Sequence, residues 1–219
     1  MKLSAVVLLV FAWTTVSPPA AWASATLGDV GGSGPVIQVF GGAVLNLPTA
    51  LTVRQQGESD LEHSARWETR SLRQPFYWAL RLRWQNEVRA WELQLLHHKL
   101  HLANPPVEIS DFEVTHGFNI LTVAHVWRGG STHLRGGAGV VIPHAESTVR
   151  GQHHASAGYT LGGPAVMFGV GSEKRLTGGL FLAMEAQFIA AWATVPVASG
   201  EAKVTAMGVH FLLGLGYLF

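Results

Sequence analysis

The sequence predicts an all-β fold, an eight-stranded antiparallel up-and-down transmembrane β-barrel, and three observations lead to it. The chain ends on GVHFLLGLGYLF, where Phe219, Tyr217, Leu215, Leu213, Phe211, Val209 and Met207 form an unbroken apolar row of period two. The residues between them, Leu218, Gly216, Gly214, Leu212, His210, Gly208 and Ala206, are smaller and admit a polar group, so the two faces of this strand differ. Similar segments recur along the chain, and their connections alternate between short and long, as expected for a barrel with tight turns at one end and loops at the other.

The N-terminus sets the compartment. Lys2 supplies a positive charge, Leu3 to Trp13 is a short apolar run, and Ala23-Ser24-Ala25 is a small-x-small cleavage site. Residues 1–25 read as a secretory signal, with a cut after Ala23 as the alternative, leaving 26–219 as the barrel domain. A retained anchor is opposed by the short run and by Pro18-Pro19. There is no cysteine, which excludes a disulfide framework, a thiolate metal site and a lipid anchor on sulfur. The formal charge of +1 falls to 0 once Lys2 leaves with the signal, so the mature chain has no basic excess and nucleic acid is not an expected partner.

Composition alone is ambiguous. Apolar residues make up 48% of the chain and mean hydropathy is +0.24, which invites a helical membrane reading. The best helical span, Leu176 to Ala198, would hold Glu185 near the bilayer centre, at high cost. As a strand it puts Leu180, Leu182, Met184, Ala186, Phe188, Ala190 and Trp192 on one face and Glu185 and Gln187 on the other, so the strand is preferred.

In order, the expected strands are Val36–Leu45, Phe76–Gln85, Val88 to about Leu102, Phe112–Trp127, Thr132–Pro143, Tyr159–Gly171, Leu180–Val195 and Lys203–Phe219. The second alternates cleanly, with Phe76, Trp78, Leu80, Leu82 and Trp84 outward and Tyr77, Ala79, Arg81, Arg83 and Gln85 inward. Short connections are Asn86-Glu87, Arg128–Ser131 and Ser172–Gly179; those on the other side are Asn46–Pro75, Ala103–Asp111, His144–Gly158 and Pro196–Ala202. The first of these, with its mixed charges, reads as a solvated outer loop. If Asn86-Glu87 is a two-residue turn, Gln85 pairs with Val88, Arg81 faces Glu92 and Ala79 faces Gln94, so polar meets polar on the inner face. The expected lumen is built from Arg81, Arg83, Glu92, Gln94, Arg135, Glu185, Gln187 and His210. Eight strands enclose just enough room for side chains, so these charges read first as structural pairs.

Histidine is the unusual residue, with 11 in the chain, and eight of them fall toward the loop end. In LLHHKLHL, His97, Lys99 and His101 share one face, and a row of such donors at the outer-leaflet level could hold lipopolysaccharide phosphates. His98 follows Glu92 and Gln94 inward. In FEVTHGFN, Glu113, Thr115 and Asn119 are expected inward, with His116 on the face of Phe118 and Ile120 unless a bulge near Gly117 switches the phase. His116 or His98 beside Glu113 could act as a general base, and His144 could complete a metal site. No ligand spacing specifies a metal, and the sequence leaves any cofactor unknown.

With these segments in place, the chain resembles the small outer-membrane β-barrel superfamily that includes OmpA-type, OmpX-type and lipid A-modifying barrels. The resemblance covers the whole mature chain in architecture. In that superfamily a C-terminal aromatic on an alternating strand is similar to the signal read by the outer-membrane assembly machinery, which implies that machinery as a partner through Phe219. WELQLLHHKLHL followed by FEVTHGFNILTVAHVWR also looks like the paired-strand signature of lipid A oxidase-type barrels, carried here by His97, Lys99, Thr115, Gly117 and Asn119. Lipid A deacylase barrels fit less well, because Phe118 stands where their nucleophilic serine would align. The resemblance implies an integral outer-membrane protein that binds or modifies lipid A; the alternative is a non-enzymatic structural or surface-interaction barrel.

Overall fold

In the computed structural model of the chain, residues 30–219 are described, and the expected signal segment lies outside them. In chain order the strands are β1 (Gly34–Asn46), β2 (Thr49–Gln55), β3 (Leu61–Ala65), β4 (Trp67–Glu68), β5 (Trp78–Gln85), β6 (Arg89–Leu102), β7 (Ile109–Gly129), β8 (Thr132–Pro143), β9 (Glu146–Val149), β10 (Gln152–Ala155), β11 (Gly163–Thr177), β12 (Leu180–Val197) and β13 (Gly200–Leu218). Eight of them close a ring, β1–β5–β6–β7–β8–β11–β12–β13 and back to β1, with every neighbouring pair antiparallel. These correspond to the eight strands read from the sequence.

Period two decides which side chains meet lipid. Trp84, Trp91, Val123, Phe168, Met184, Phe188, Trp192, Phe211, Leu213 and Leu215 are exposed around the outside, while Arg81, Arg83, Glu92, Gln94, Arg135, Glu173, Glu185 and Gln187 are buried within. Gly214 and Gly216 lie on the inner face of β13, and a Cβ at either would overlap the ring of Phe40 or Phe181. The rings fill the room the glycines leave and carry guanidinium groups in turn, Arg81 at 4.4 Å over Phe40 and Arg83 at 5.9 Å over Phe181.

The charges then pair across the lumen. Arg81 donates to both oxygens of Glu185, at 3.0 and 2.9 Å, and to Gln94 Oε1 at 2.7 Å, and forms an ion pair with Glu92 at 3.0 Å. Arg135 reaches Glu185 at 2.8 Å and pairs with Glu92, and His133 Nε2 lies 3.2 Å from Glu185 Oε2. Arg83 clamps Glu173, whose Oε1 also accepts from Gln38 at 3.0 Å. A buried charge left alone would cost several kcal/mol, and here the charges compensate one another across the lumen.

Both ends are closed. At the short-turn end the chain at Val30–Gly32 crosses the mouth, its carbonyls accepting from Gln85 (3.3 Å to Val30, 3.1 Å to Gly32), Arg128 (2.9 Å to Val30) and Arg175 (2.8 Å to Gly31). At the other end the interior turns apolar, with Leu96, Leu100, Phe112, Val114, Phe118, Ile120 and Val141 fully or nearly fully buried.

Three expectations are corrected. The first hairpin turn is longer than two residues: Asn86 N–H donates to Arg89 O at 2.9 Å, and Asn86 Oδ1 accepts from Val88 and Arg89 N–H at 3.1 and 2.9 Å. The Asn side chain thus builds an Asx turn of four residues. The register moves by two, to Gln85↔Ala90, Arg83↔Glu92 and Arg81↔Gln94. A shift of two preserves both faces, so the lumen residues expected from the sequence remain inside.

The outer connections are also folded rather than loose. β2 and β3 form a hairpin added to β13, β4 adds to β6, and β9 and β10 form a hairpin added to β7. Pro196–Ala202 shrinks to a turn at Ala198-Ser199 between strands paired out to Val197↔Gly200. The apolar residues within the polar first loop explain the difference: Leu61, Ala65 and Trp67 are buried beside Leu51, Val53, Phe112, Val149, Val197 and Val204 in a core above the membrane. Lastly, the outer part of β7 has the opposite phase to that expected, with Phe118 and Ile120 inside and Glu113 and Asn119 on the outer face. The interior at this height is an apolar core, so the large hydrophobic side chains turn inward.

Candidate functional site at the outer rim of β6 and β7

The expected site residues come from β6 and β7 where these strands leave the apolar girdle. Their ladder breaks there, pairing His98 with Phe118 and then Leu100 with Val114, so Lys99 alone faces residues 115–117. Gly117 takes φ +132°, a conformation that disfavours any side chain. A bulge is thus present near Gly117, but Val114 and Phe118 on its two sides both face inward, so it does not switch the phase of the strand. The side chains of Thr115 and His116 lie outside the described residues, so no contact is assigned to the candidate base His116.

His97, Lys99 and His101 do share the outer face of β6, and each is engaged by the protein. His97 Nδ1 is 2.8 Å from Asn119 Oδ1, and its ring stacks on Trp78 with centroids 5.6 Å apart and planes at 11°. Lys99 Nζ donates to the carbonyls of Arg70 and Arg73 at 3.0 and 2.7 Å, and the residue is 1% exposed. The ammonium therefore caps the turn that brings the chain from β4 back to β5. His101 Nδ1 lies 2.9 Å from Glu113 Oε2.

His98 sits on the opposite face of the sheet from Glu113. Its Nε2 is 3.0 Å from Thr69 Oγ1, and its ring meets His210 edge-on at 5.0 Å. Tyr77 Oη lies 2.7 Å from His210 Nδ1, and Asn46 Nδ2 donates to Thr69 Oγ1 at 2.9 Å. This belt of hydroxyl, amide and imidazole groups lies between the charged lumen and the apolar upper core. The pairing of His98 with Glu113 as base and orienter is thus not formed, and Glu113 partners His101 instead. Among the described residues no group of three or more His, Asp or Glu is arranged to hold a metal, His144 included.

Sequence reasoning missed Glu173, Gln38 and His133. Glu173 falls within the expected turn Ser172–Gly179, yet in the structure it continues the inward phase of Met167, Gly169 and Gly171. That phase was the available signal, blurred because Gly169 and Gly171 contribute no side chain.

A closed eight-stranded barrel, apolar outside and sealed by ion pairs within, defines an integral outer-membrane β-barrel protein. No protein-family model matches the chain, and no curated protein does. Its fold is similar to that of the outer membrane protein OprG from Pseudomonas aeruginosa, at a TM-score of 0.53 and 10% identity, covering 87% of this chain and 99% of that one. It is equally similar to outer membrane protein AlkL, whose structure was determined in lipid bilayers, at a TM-score of 0.53 and 12% identity over 93% and 96% of the two chains. At such identities the likeness concerns the fold alone.

Proposed function

We propose that this outer-membrane barrel acts through the β-structured head above its girdle, as a non-enzymatic surface-interaction protein. The observation that carries the reading is the continuity of β12 and β13, paired without a break from Leu180↔Tyr217 to Val197↔Gly200. The 18 residues of β12 span roughly 60 Å at about 3.3 Å per residue, against an apolar band about 25 Å tall, so even a strongly tilted strand stands clear of the membrane. The head is then stitched together: Arg150 of the β9–β10 turn donates to Gln55 Oε1 and Ser59 O of the β2–β3 hairpin, both at 2.9 Å. A rigid head suits recognition, because little ordering entropy is lost on contact.

A second reading, binding or modification of lipid A, draws on the polar break that His97, Lys99, His101, Glu113 and Asn119 make at the outer rim. The internal engagement of the three cationic or imidazole donors weighs against it. For β13, we propose engagement by the outer-membrane assembly machinery through the alternating strand that ends at Phe219.

Mass spectrometry of lipid A from cells with and without the protein separates the two readings, alongside a barrel whose β2–β3 tip, residues 56–60, is replaced by a two-residue turn. Identical lipid A spectra, with cell aggregation or surface adhesion lost in the shortened but folded barrel, are expected. A mass change that depends on the protein and disappears in His97→Ala would overturn the proposal in favour of lipid A chemistry.

A further inference from the structure

At the short-turn end the register lines up one row across five strands. Pro35 pairs with Trp84, Trp84 with Trp91, Trp91 with His125, and His125 with Gly136. All project outward, and Arg89 lies two residues nearer the turn on β6, paired with Trp127. Beside Gly34 and Pro35, at one end of the row, lies a cleft of about 460 Å³ whose lining includes Trp84, Arg89, Trp91 and His125.

Two polar groups in this cleft are unexplained by the fold. The His125 ring is held edge-on by Trp91 at 5.1 Å and Trp127 at 4.6 Å; the residue is 8% exposed, and its Nδ1 has no hydrogen-bond partner. The Arg89 backbone is fixed by the Asx turn, while its side chain is exposed and makes no salt bridge among the described residues. A cation and an imidazole that share an aromatic-walled cleft at a membrane interface match a phosphate joined to an apolar body.

We propose that this cleft binds an anionic glycerophospholipid of the periplasmic leaflet. Arg89 and His125 hold its phosphate, and Trp84 and Trp91 lie against its glycerol and first methylenes. Arg89 supplies the charge and a fork of donors that fits two phosphate oxygens. His125 offers a ring nitrogen to the same phosphate, as a donor in the tautomer that protonates it. The girdle aromatics expected of any such barrel would anchor lipid without regard to headgroup; the charge at Arg89 makes this site selective.

Native mass spectrometry of the refolded full barrel, released from micelles containing equal phosphatidylglycerol and phosphatidylcholine, tests the assignment. One retained phosphatidylglycerol is expected in preference to phosphatidylcholine. Retention should fall at least about fivefold in Arg89→Gln and in His125→Phe, and stay unchanged in Lys174→Gln on β11. Heat-dependent gel mobility identifies folded barrels, and Arg89→Lys, expected to bind at an intermediate level, replaces Arg89→Gln if the latter does not fold. Equal retention of the two lipids, or an equal loss in Lys174→Gln, would overturn the proposal and leave only diffuse interfacial adsorption.

Discussion

Arg83 closes two hydrogen bonds on Glu173, Nη1 to Oε1 at 2.6 Å and Nη2 to Oε2 at 3.0 Å, and so ties β5 to β11 across the lumen. Both side chains are almost completely buried, so removing Arg83 leaves the Glu173 carboxylate with only the Gln38 amide and the more distant Arg128, 3.9 Å away. Arg83→Met should destabilise the barrel by about 3–5 kcal/mol, whereas Arg83→Met with Glu173→Leu should recover most of that loss. Urea unfolding in lipid measures both, and equal losses in the single and double variants would contradict the account.

Gly216 makes room for Phe181, on which Arg83 rests. Gly216→Leu should therefore act at a distance, displacing the ring and loosening the Arg83–Glu173 clamp, with a loss of about 1–3 kcal/mol from overpacking. Adding Phe181→Ala should restore part of it, because the new side chain then has somewhere to go. Urea midpoints that worsen additively would show that ring and glycine are independent.

The Lys99 ammonium holds the Arg70–Arg73 turn by its carbonyls. Lys99→Met keeps the bulk and deletes two charge-assisted hydrogen bonds, each worth about 1.5–3 kcal/mol. Trypsin added to intact cells should then cut after Arg70 or Arg73 at least about tenfold faster, since cleavage follows the open population. Unchanged cleavage would mean that the turn holds its shape without the lysine.

Asp111 lies on the part of β7 above the girdle, where burial and the neighbouring carboxylates Glu113 and Glu146 raise its carboxyl above the usual range. A raised carboxyl is one whose ionised form the fold disfavours, so Asp111 lowers stability above its folded pKa and ceases to do so as pH falls through it. Asp111→Asn should gain about 0.5 kcal/mol at pH 7, a figure reduced for solvent screening because the residue is exposed. The gain should close toward zero near pH 4, as read by urea midpoints of both proteins at the two pH values. A gain of the same size at both would assign it to something other than charge.

Much of the barrel was legible because period two is a strong signal when one face meets lipid. Trp78 to Gln85 and Leu180 to Trp192 declare their faces residue by residue, and the lumen charges followed from them. The head was less legible, because Leu61, Ala65 and Trp67 are scattered among charges and become a core only beside β7, β12 and β13, which are distant in sequence. At the rim, the shared face of His97, Lys99 and His101 was readable from spacing. That their partners are Asn119, two loop carbonyls and Glu113 was not, since it depends on a bulge at residues 115–117 whose size no local pattern fixes.

The four-residue turn at Asn86 keeps the parity of the barrel wall. A turn that gains or loses two residues leaves each side chain on its own side of the wall, whereas a change of one exchanges lipid and lumen along a whole strand. Lineages of such proteins can therefore drift in even steps, preserving parity while replacing most of the letters.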